Sequence, residues 1–493
     1  MRYHFHMDKV ELVAERDAIV AQIRRYAPAI SPLFDVRESL REYSRALNQF
    51  PVPAEHMKRQ RVVRNVLNQR VEAIFGNVNG ATMYGAPDTP LAFNIADHHQ
   101  VLNHPFLIPS SIIASVSKFL QTAAQQPIVV ISSGDVPPNN FFSENGFRLH
   151  GKKVPIFATS ERELCSYYAE CRTFDFVERT KRADWWHRFT PDEQRFLLEL
   201  QERIQAVDFS GCSSYCDQIS RIVKNTWPLM FEASLRTNLP ELLYVTQEDL
   251  TSHLLLELLG EDTLLSRMLF DATVRQHVLD NFRGIVVTWR EAEAKGTHFF
   301  WRKYPGKERT LRMYVEGNQL VPHDTRFKHL AVPLERSAIL ELLRTKELSP
   351  SLFTIFTALN FYCGVRPLVG YGSVQYLHLM EQAWEKTLRQ LGEHREAELV
   401  SSVNTSGFVG GLALFFKRDG GMLRAQYAHD LMFDGGVRAS YLQQVLAMPF
   451  QDIISVGVPD MYDYYRNKYI PASEHLRLPV TADDLAALSF AWV

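Results

Sequence analysis

Cysteine is scarce in this 493-residue chain: there are five, an odd number, which excludes a disulfide-stapled scaffold. Cys165/Cys171 and Cys212/Cys216 are the close pairs. Cys212-Ser-Ser-Tyr-Cys216 has the spacing of half a zinc site, but no matching Cys/His pair stands at a regular distance, so all five read as ordinary reduced thiols. Charge of one sign is lacking too. Lys+Arg 54 against Asp+Glu 56 leaves a net charge of −2, so no global basic field points to nucleic acid. Long apolar runs are missing as well. The best membrane candidate, Ser351 to Val365, is shorter than the ~20 residues that cross a bilayer and contains Thr354, Thr357 and Asn360, so it reads as a buried helix. Met1 to Lys9 shows no cationic leader ahead of an apolar segment, and the reading is a cytoplasmic protein without membrane attachment.

What is present is the composition of a chain with a real core: 46% hydrophobic, 12% aromatic and 22% charged residues. Residues 1–76 read as three helices. Asp35 with Glu38 looks like a capping box ahead of the stripe Val36, Leu40, Tyr43, Leu47 and Phe50. The third helix ends at Gly76 and carries a basic face of Lys58, Arg59, Arg61, Arg64 and Arg70. Residues 77–160 turn to loop signals (Gly76 to Gly80, Tyr84 to Pro87) and then to a strand at Leu91 to Ala96. A helix from Ser110 to about Gln126 follows, then a strand from Pro127 to Ser132, which together make a βαβ unit, with a further strand from Lys153 to Ala158. Residues 161–283 read as helical, with the capping box Thr190-Pro191-Asp192-Glu193. Residues 284–493 read as mixed: a hairpin of His298 to Tyr304 and Arg309 to Val315, a third meander strand at Gln319 to Val321, helices, glycine-rich loops at Gly364 to Gly372 and Gly407 to Gly411, and strands at Leu412 to Lys417 and Leu423 to Tyr427. The fold class is mixed α/β. The short connections favour one interlocked fold over independent domains.

The densest chemistry is Asp97-His98-His99-Gln100-Val101-Leu102-Asn103-His104, which follows a strand. Ligands in parallel α/β sheets bind beyond the carboxyl ends of strands. Asp97, His98, His99 and His104 are therefore candidate ligands for a divalent transition metal (Zn, Fe or Mn), or His98 and His99 act as metal-free acid and base, or the histidines are structural. Adjacent side chains on an extended segment point in opposite directions, so His98 and His99 share one ion only if the backbone turns there. Ile95-Ala96-Asp97-His98-His99 through Asn103 resembles the third motif of the DHH phosphoesterase family, in which a strand delivers Asp-His-His to a two-metal site. The resemblance covers under ten residues. No early His- and Asp-rich motif of that family occurs before residue 90, and the family assignment is not adopted.

A second candidate is Ser132-Ser133-Gly134-Asp135 through Asn139-Asn140, with Asp135 as a catalytic residue and Asn139 and Asn140 as substrate contacts. It lies one βαβ unit after the histidines, so both loops should open on one sheet edge. Arg366 is a candidate clamp for an anionic group, because guanidinium binds carboxylate and phosphate bidentately. The hairpin carries Trp301, Arg302, Lys303, Arg309 and Arg312, suited first to solvent, then to an anionic substrate, and least to single-stranded nucleic acid. No P-loop, Gly-x-Ser-x-Gly, His-Glu-x-x-His or Cys-x-x-Cys string occurs.

The leading expectation is an enzyme of small-molecule metabolism acting on a small polar or anionic substrate, with metal-assisted or histidine acid–base chemistry of the hydrolase, lyase or oxygenase kind. The alternatives are a binding or scaffold protein using the basic helix 58–70 and the hairpin 298–315, and an ATP-using ligase or transferase without a standard phosphate loop. Monomer and homodimer both stay open.

Overall fold

Strands buried on both faces lose the polar alternation of half-exposed ones. Ile128-Val129-Val130-Ile131 and Leu242-Leu243-Tyr244-Val245 are such runs, and they pair side by side in parallel, Ile128 opposite Leu242 through Ser132 opposite Thr246. The computed structural model describes residues 7–76, 89–119, 126–156 and 164–493. Two five-stranded sheets are built from β1 (Ala92–Asn94), β2 (Ile128–Ser132), β3 (Leu242–Thr246), β4 (Phe300–Lys303), β5 (Thr310–Glu316), β6 (Gln319–Pro322), β7 (Val332–Pro333), β8 (Leu348–Pro350), β9 (Arg366–Gly370) and β10 (Gly407–Gly410).

The first sheet is parallel throughout, in the order β10-β9-β1-β2-β3. The chain runs outward from β1 to β2 and β3, then returns to add β9 and β10 on the other flank. All five strands therefore end on one edge, the arrangement that places ligand sites in open α/β sheets. The second sheet is antiparallel, in the order β8-β4-β5-β6-β7. It contains the expected hairpin and meander. The protein is a mixed α/β fold, and strands from three of the four sequence regions meet in its parallel sheet. One continuous apolar core runs through all four regions.

Several elements differ from the sequence reading. Gly364 to Gly372 and Gly407 to Gly411 are not simply loops, because β9 and β10 lie within them. Their glycines let neighbouring chain approach: a Cβ on Gly407 would lie 2.6 Å from the Pro367 carbonyl oxygen, and one on Gly410 would lie 2.6 Å from Ala96 Cβ. The 161–283 region is helical except for β3, a five-residue fully buried run that periodicity cannot tell from a helix segment. Asp35 does not cap the second helix. It pairs with Arg24 at 2.8 Å, and the capping box of the helix Leu40–Asn48 is Ser39 with Glu42.

Near the C-terminus the hairpin is Phe416–Asp419 with Met422–Ala425, shifted from the expected strands. Lys152–Pro155 pairs with Gly146–Leu149, while residues 157 and 158 of the expected strand lie outside the described residues. So do the loop signals at 77–80 and 84–87 and the stretch 120–125, and the helix that follows β1 is described over Ile108–Phe119. Among the described residues no helix is long and apolar enough to cross a membrane.

Candidate functional site

Pairing between β1 and β2 continues past the strand ends. The Ser133 amide donates to the Asp97 carbonyl, and the His99 amide donates to the Ser133 carbonyl, both at 2.8 Å. The backbone thus stays extended through His98 and His99, and the two rings point apart.

His99 turns into the core. Its Nε2 lies 2.8 Å from the Cys216 carbonyl oxygen and its Nδ1 lies 2.8 Å from Ser132 Oγ. A carbonyl needs a donor, so Nε2 carries the proton and Nδ1 accepts from the serine hydroxyl. Burial lowers its pKa to about 4. His98 faces the 132–140 loop, with Nδ1 at 3.2 Å from Asn140 Oδ1 and its ring edge-on to Phe142. Asn140 is itself tied down, its amide donating to the Pro137 carbonyl at 2.7 Å, and Asn139 precedes it in the same loop.

His104 accepts the Phe106 amide on Nδ1 at 3.3 Å and sits among the rings of Phe106, Phe141, Phe142 and Tyr427. Burial and the nearby Arg148 charge lower its pKa to about 3. Asp97 is buried, with Oδ1 accepting from Ser110 Oγ at 2.5 Å and Oδ2 from the Tyr244 hydroxyl at 2.7 Å. Burial raises its pKa to about 6 against the pull of those donors. His98 and His104 share the Phe142 ring, while His99 and Asp97 are each turned to other neighbours. Among the described residues no group of three or more His, Cys, Asp or Glu side chains is disposed to hold a metal ion.

A different pair of side chains converges at the ends of β2 and β3. The helix Gln247–Leu258 starts directly after β3. Its Glu248 is fully buried and reaches back to the loop after β2, where Oε2 accepts the Gly134 amide and Oε1 the Asp135 amide, both at 2.9 Å. A Cβ on Gly134 would lie 2.9 Å from Glu248 Oε2 and 3.2 Å from Thr246 Cγ2, so a side chain there would push against the carboxylate. Burial, then the neighbouring Asp135 charge, pushes Glu248 up to about 8. Gln247 bridges the β1 and β2 ends, its side-chain amide donating to the Ile95 and Ile131 carbonyls at 3.2 and 3.1 Å.

Asp135 is only partly covered. Burial raises its pKa to about 7, while hydrogen bonds from the Cys165 thiol and the Trp301 side chain act against the rise. The Cys165 sulfur lies 3.6 Å from Asp135 Oδ1. Trp301 comes from β4, so the antiparallel sheet closes over the parallel sheet's edge at this point. Two cations stand over the tyrosines that follow Cys165: Lys303 Nζ lies 5.8 Å from the Tyr168 ring centre and Lys346 Nζ lies 5.8 Å from that of Tyr167. Tyr167 is anchored to the loop by its amide, which donates to the Gly134 carbonyl at 2.8 Å.

The structure therefore brings together the 97–104 loop, the 132–140 loop and the hairpin. It does not bring Arg366 to them. Arg366 opens β9 at the opposite edge of the sheet, opposite Ala92 in register, and donates to the Ala46 and Leu47 carbonyls at 3.0 and 3.1 Å. The basic face of the helix Ala54–Phe75 is largely turned inward: Arg59 pairs with Glu396 and Arg70 with Asp249, each at 2.6 Å, and Arg64 bonds to the Thr89 carbonyl.

Sequence reasoning missed Glu248 and Gln247. The available signal was the apolar run Leu242 to Val245 followed directly by Thr246-Gln247-Glu248-Asp249, a strand end that is also a helix cap. No family model matches the chain, and no curated protein is significantly similar to it.

Proposed function

We propose that this protein is an enzyme of small-molecule metabolism that performs acid–base chemistry where the β2 and β3 ends meet the antiparallel sheet. One observation carries the reading. Burial raises the carboxyl of Asp135, a half-buried residue, to about 7, and a second carboxyl, Glu248, fixes its backbone. A group poised near neutral pH can take a proton in one step and return it in the next. In this reading Asp135 moves the proton, Glu248 positions it, and burial sets its acidity against the opposing hydrogen bonds from the Cys165 thiol and the Trp301 side chain. Lys303 and Lys346 favour a substrate with an anionic group, because both are partly exposed residues whose ammonium groups stand over Tyr168 and Tyr167, and the Tyr167 amide is bonded to the Gly134 carbonyl next to Asp135. His98, hydrogen-bonded to Asn140, stands at the neighbouring strand end as a polar contact for the substrate.

The test is turnover in a mixture. Purified protein is incubated with a bacterial small-molecule extract, and masses that change are compared between wild type and Asp135→Asn. Signals of anionic compounds should change with the wild type and stay constant with D135N. Equal change with both proteins, or none with either, refutes the reading.

A further inference from the structure

We infer that Cys171 and Cys212 form a dithiol that a low-molecular-weight disulfide such as glutathione disulfide oxidises reversibly, stapling the chain segment beside Asp135 to the helix Tyr215–Thr226. Sequence spacing pairs Cys165 with Cys171 and Cys212 with Cys216, and the fold turns both pairs apart. The Cys165 sulfur faces Asp135 Oδ1 and the Gly134 carbonyl at 3.6 and 3.7 Å, and the Cys216 sulfur faces the Ser166 carbonyl at 3.2 Å. Cys171 and Cys212, 41 residues apart, meet instead: the Cys171 thiol donates to the Cys212 carbonyl at 3.6 Å. Cys171 is exposed and Cys212 half-buried, whereas the other three cysteines are buried. Among the described residues no third His, Cys, Asp or Glu joins the two as a set able to hold a metal ion.

One helix holds both cysteines in place through their neighbours. Ahead of Cys171, the Ala169 carbonyl accepts the Tyr215 amide at 3.0 Å. Behind it, the Gln218 side chain accepts the Arg172 amide at 2.7 Å and donates to the Arg172 carbonyl at 3.1 Å. On the other side, Arg221 donates to the Asp208 and Ser210 carbonyls at 2.6 and 2.9 Å, and Asp217 accepts the Ser213 amide at 2.8 Å. A carbonyl oxygen lies about 2.4 Å from its own Cα, so the Cys171 sulfur is within about 6 Å of Cys212 Cα. Rotation about χ1 of the two cysteines covers the remaining gap to a bond. Two thiols fixed on one scaffold react with each other as an intramolecular pair, without a bimolecular encounter.

The chemistry is two thiol–disulfide exchanges. The exposed Cys171 gives up its proton and attacks one sulfur of glutathione disulfide; that S–S bond breaks, and one glutathione leaves and takes up a proton. Cys212 then gives up its proton, attacks the Cys171 sulfur of the mixed disulfide and expels the second glutathione. The two cysteines lose two electrons and two protons, and one glutathione disulfide becomes two glutathione thiols. Burial raises both cysteine thiols, Cys212 to about 11, so the exchange is slower than that of a free cysteine and answers sustained oxidation. The stapled segment runs along the loop after β2, where Ser166 Oγ donates to the Val136 carbonyl at 2.7 Å and the Tyr167 amide donates to the Gly134 carbonyl at 2.8 Å. The new bond restrains the opening of that segment away from the loop.

The experiment starts from the reduced full chain, freed of reductant and incubated with excess glutathione disulfide, then alkylated in denaturant and digested without reduction. Peptide mass spectrometry should find Cys171 joined to Cys212 within one chain in most molecules, and dithiothreitol should return both thiols. In Cys212→Ser the mixed disulfide of Cys171 with glutathione should accumulate several-fold over wild type, because nothing resolves it. Hydrogen exchange at the Tyr167 and Arg172 amides should slow several-fold in the oxidised wild type. Cross-linking should proceed equally in Asp135→Asn, which separates this inference from the acid–base reading. A glutathione adduct that persists on wild-type Cys171 beside a free Cys212, a bond between two chains, no reaction at either cysteine, or exchange of both amides unaffected by the bond would overturn the assignment.

Discussion

Glu248 accepts the backbone N–H of Asp135 at 2.9 Å, across 113 residues of sequence. The second oxygen of the same carboxylate takes the Gly134 amide, so two donors in a tight loop depend on one side chain. Glu248→Gln replaces one acceptor by an NH2 group facing a backbone N–H. At pH 5, where the contribution of Glu248 is near its full value, the loss expected is about 1–3 kcal/mol, the cost of a buried donor without a partner. Urea denaturation measures it, and amide exchange at Gly134 should accelerate. An unchanged midpoint would show that the loop does not rest on this carboxylate.

The same residue makes a pH prediction with a definite sign. Glu248 is raised from 4.5 to about 8 and Asp135 from 3.8 to about 7. Between those limits the unfolded chain has lost protons that the folded chain retains. The contribution of both groups is therefore greatest below the ordinary carboxylate range and declines as pH rises toward 7–8. The stability of the wild type minus that of E248Q should fall between pH 5 and 8. A flat difference curve would mean that Glu248 is ionised in the fold throughout.

His99 gives the opposite slope. Its folded pKa is lowered from 6.5 to about 4, so its contribution is complete above 6.5 and is lost as pH falls toward 4. Protonation puts a second N–H on Nδ1, which then can no longer accept from Ser132. His99→Gln should destabilise the protein by about 1–3 kcal/mol at pH 7 and by less at pH 5. A penalty that grows on acidification would contradict the assigned tautomer.

How much of this was readable in advance depended on the length and exposure of each element. The hairpin around Pro305-Gly306 and the helix ending at Gly76 carry strong local signals, and both are present. The two loops after β1 and β2 could be placed on one edge because strand, helix and strand in that order fix a parallel crossover. The glycine strands β9 and β10 were hidden, because the glycines that let the strands pack closely look like loop residues in a string. The role of Glu248 was hidden for another reason. Its partners, Gly134 and Asp135, are joined to it only by the tertiary fold, and nothing local marks a helix-start glutamate as a long-range acceptor. The histidine cluster stood out by density, yet extended backbone sends His98 and His99 to opposite sides.

Trp301 tests how the two sheets cooperate. Its side chain stabilises the ionised form of Asp135. Trp301→Phe keeps most of the packing and removes the indole N–H. The Asp135 pKa should rise by about one unit, the equivalent of about 1.4 kcal/mol of lost charge-assisted bonding. Carbon-13 NMR of the carboxyl reads this directly, and any activity that needs ionised Asp135 should shift its acidic limb upward by the same amount. If the NMR titration does not move, the indole is not a partner.

Thiol reactivity reports on the closure of the site without knowledge of a substrate. The thiolate is the reactive form, so a cysteine that is covered and raised in pKa should label slowly. Cys171 is exposed and Cys212 half-buried, whereas Cys165, Cys216 and Cys363 are buried. Burial raises all five, most strongly at Cys165 and Cys216, and the Asp135 charge adds to the effect at Cys165. Brief maleimide treatment of the native protein should modify Cys171 first and Cys212 next, as read by peptide mass spectrometry, with the other three protected until denaturant is added. Asp135→Asn removes the carboxylate beside the Cys165 sulfur but leaves the cover of Tyr167 and Tyr168 in place, so Cys165 should stay protected. Rapid labelling of Cys165 in the wild type would mean that the antiparallel sheet opens away from the β2 end, and the closed arrangement of Asp135, Cys165 and Trp301 would not be the resting state.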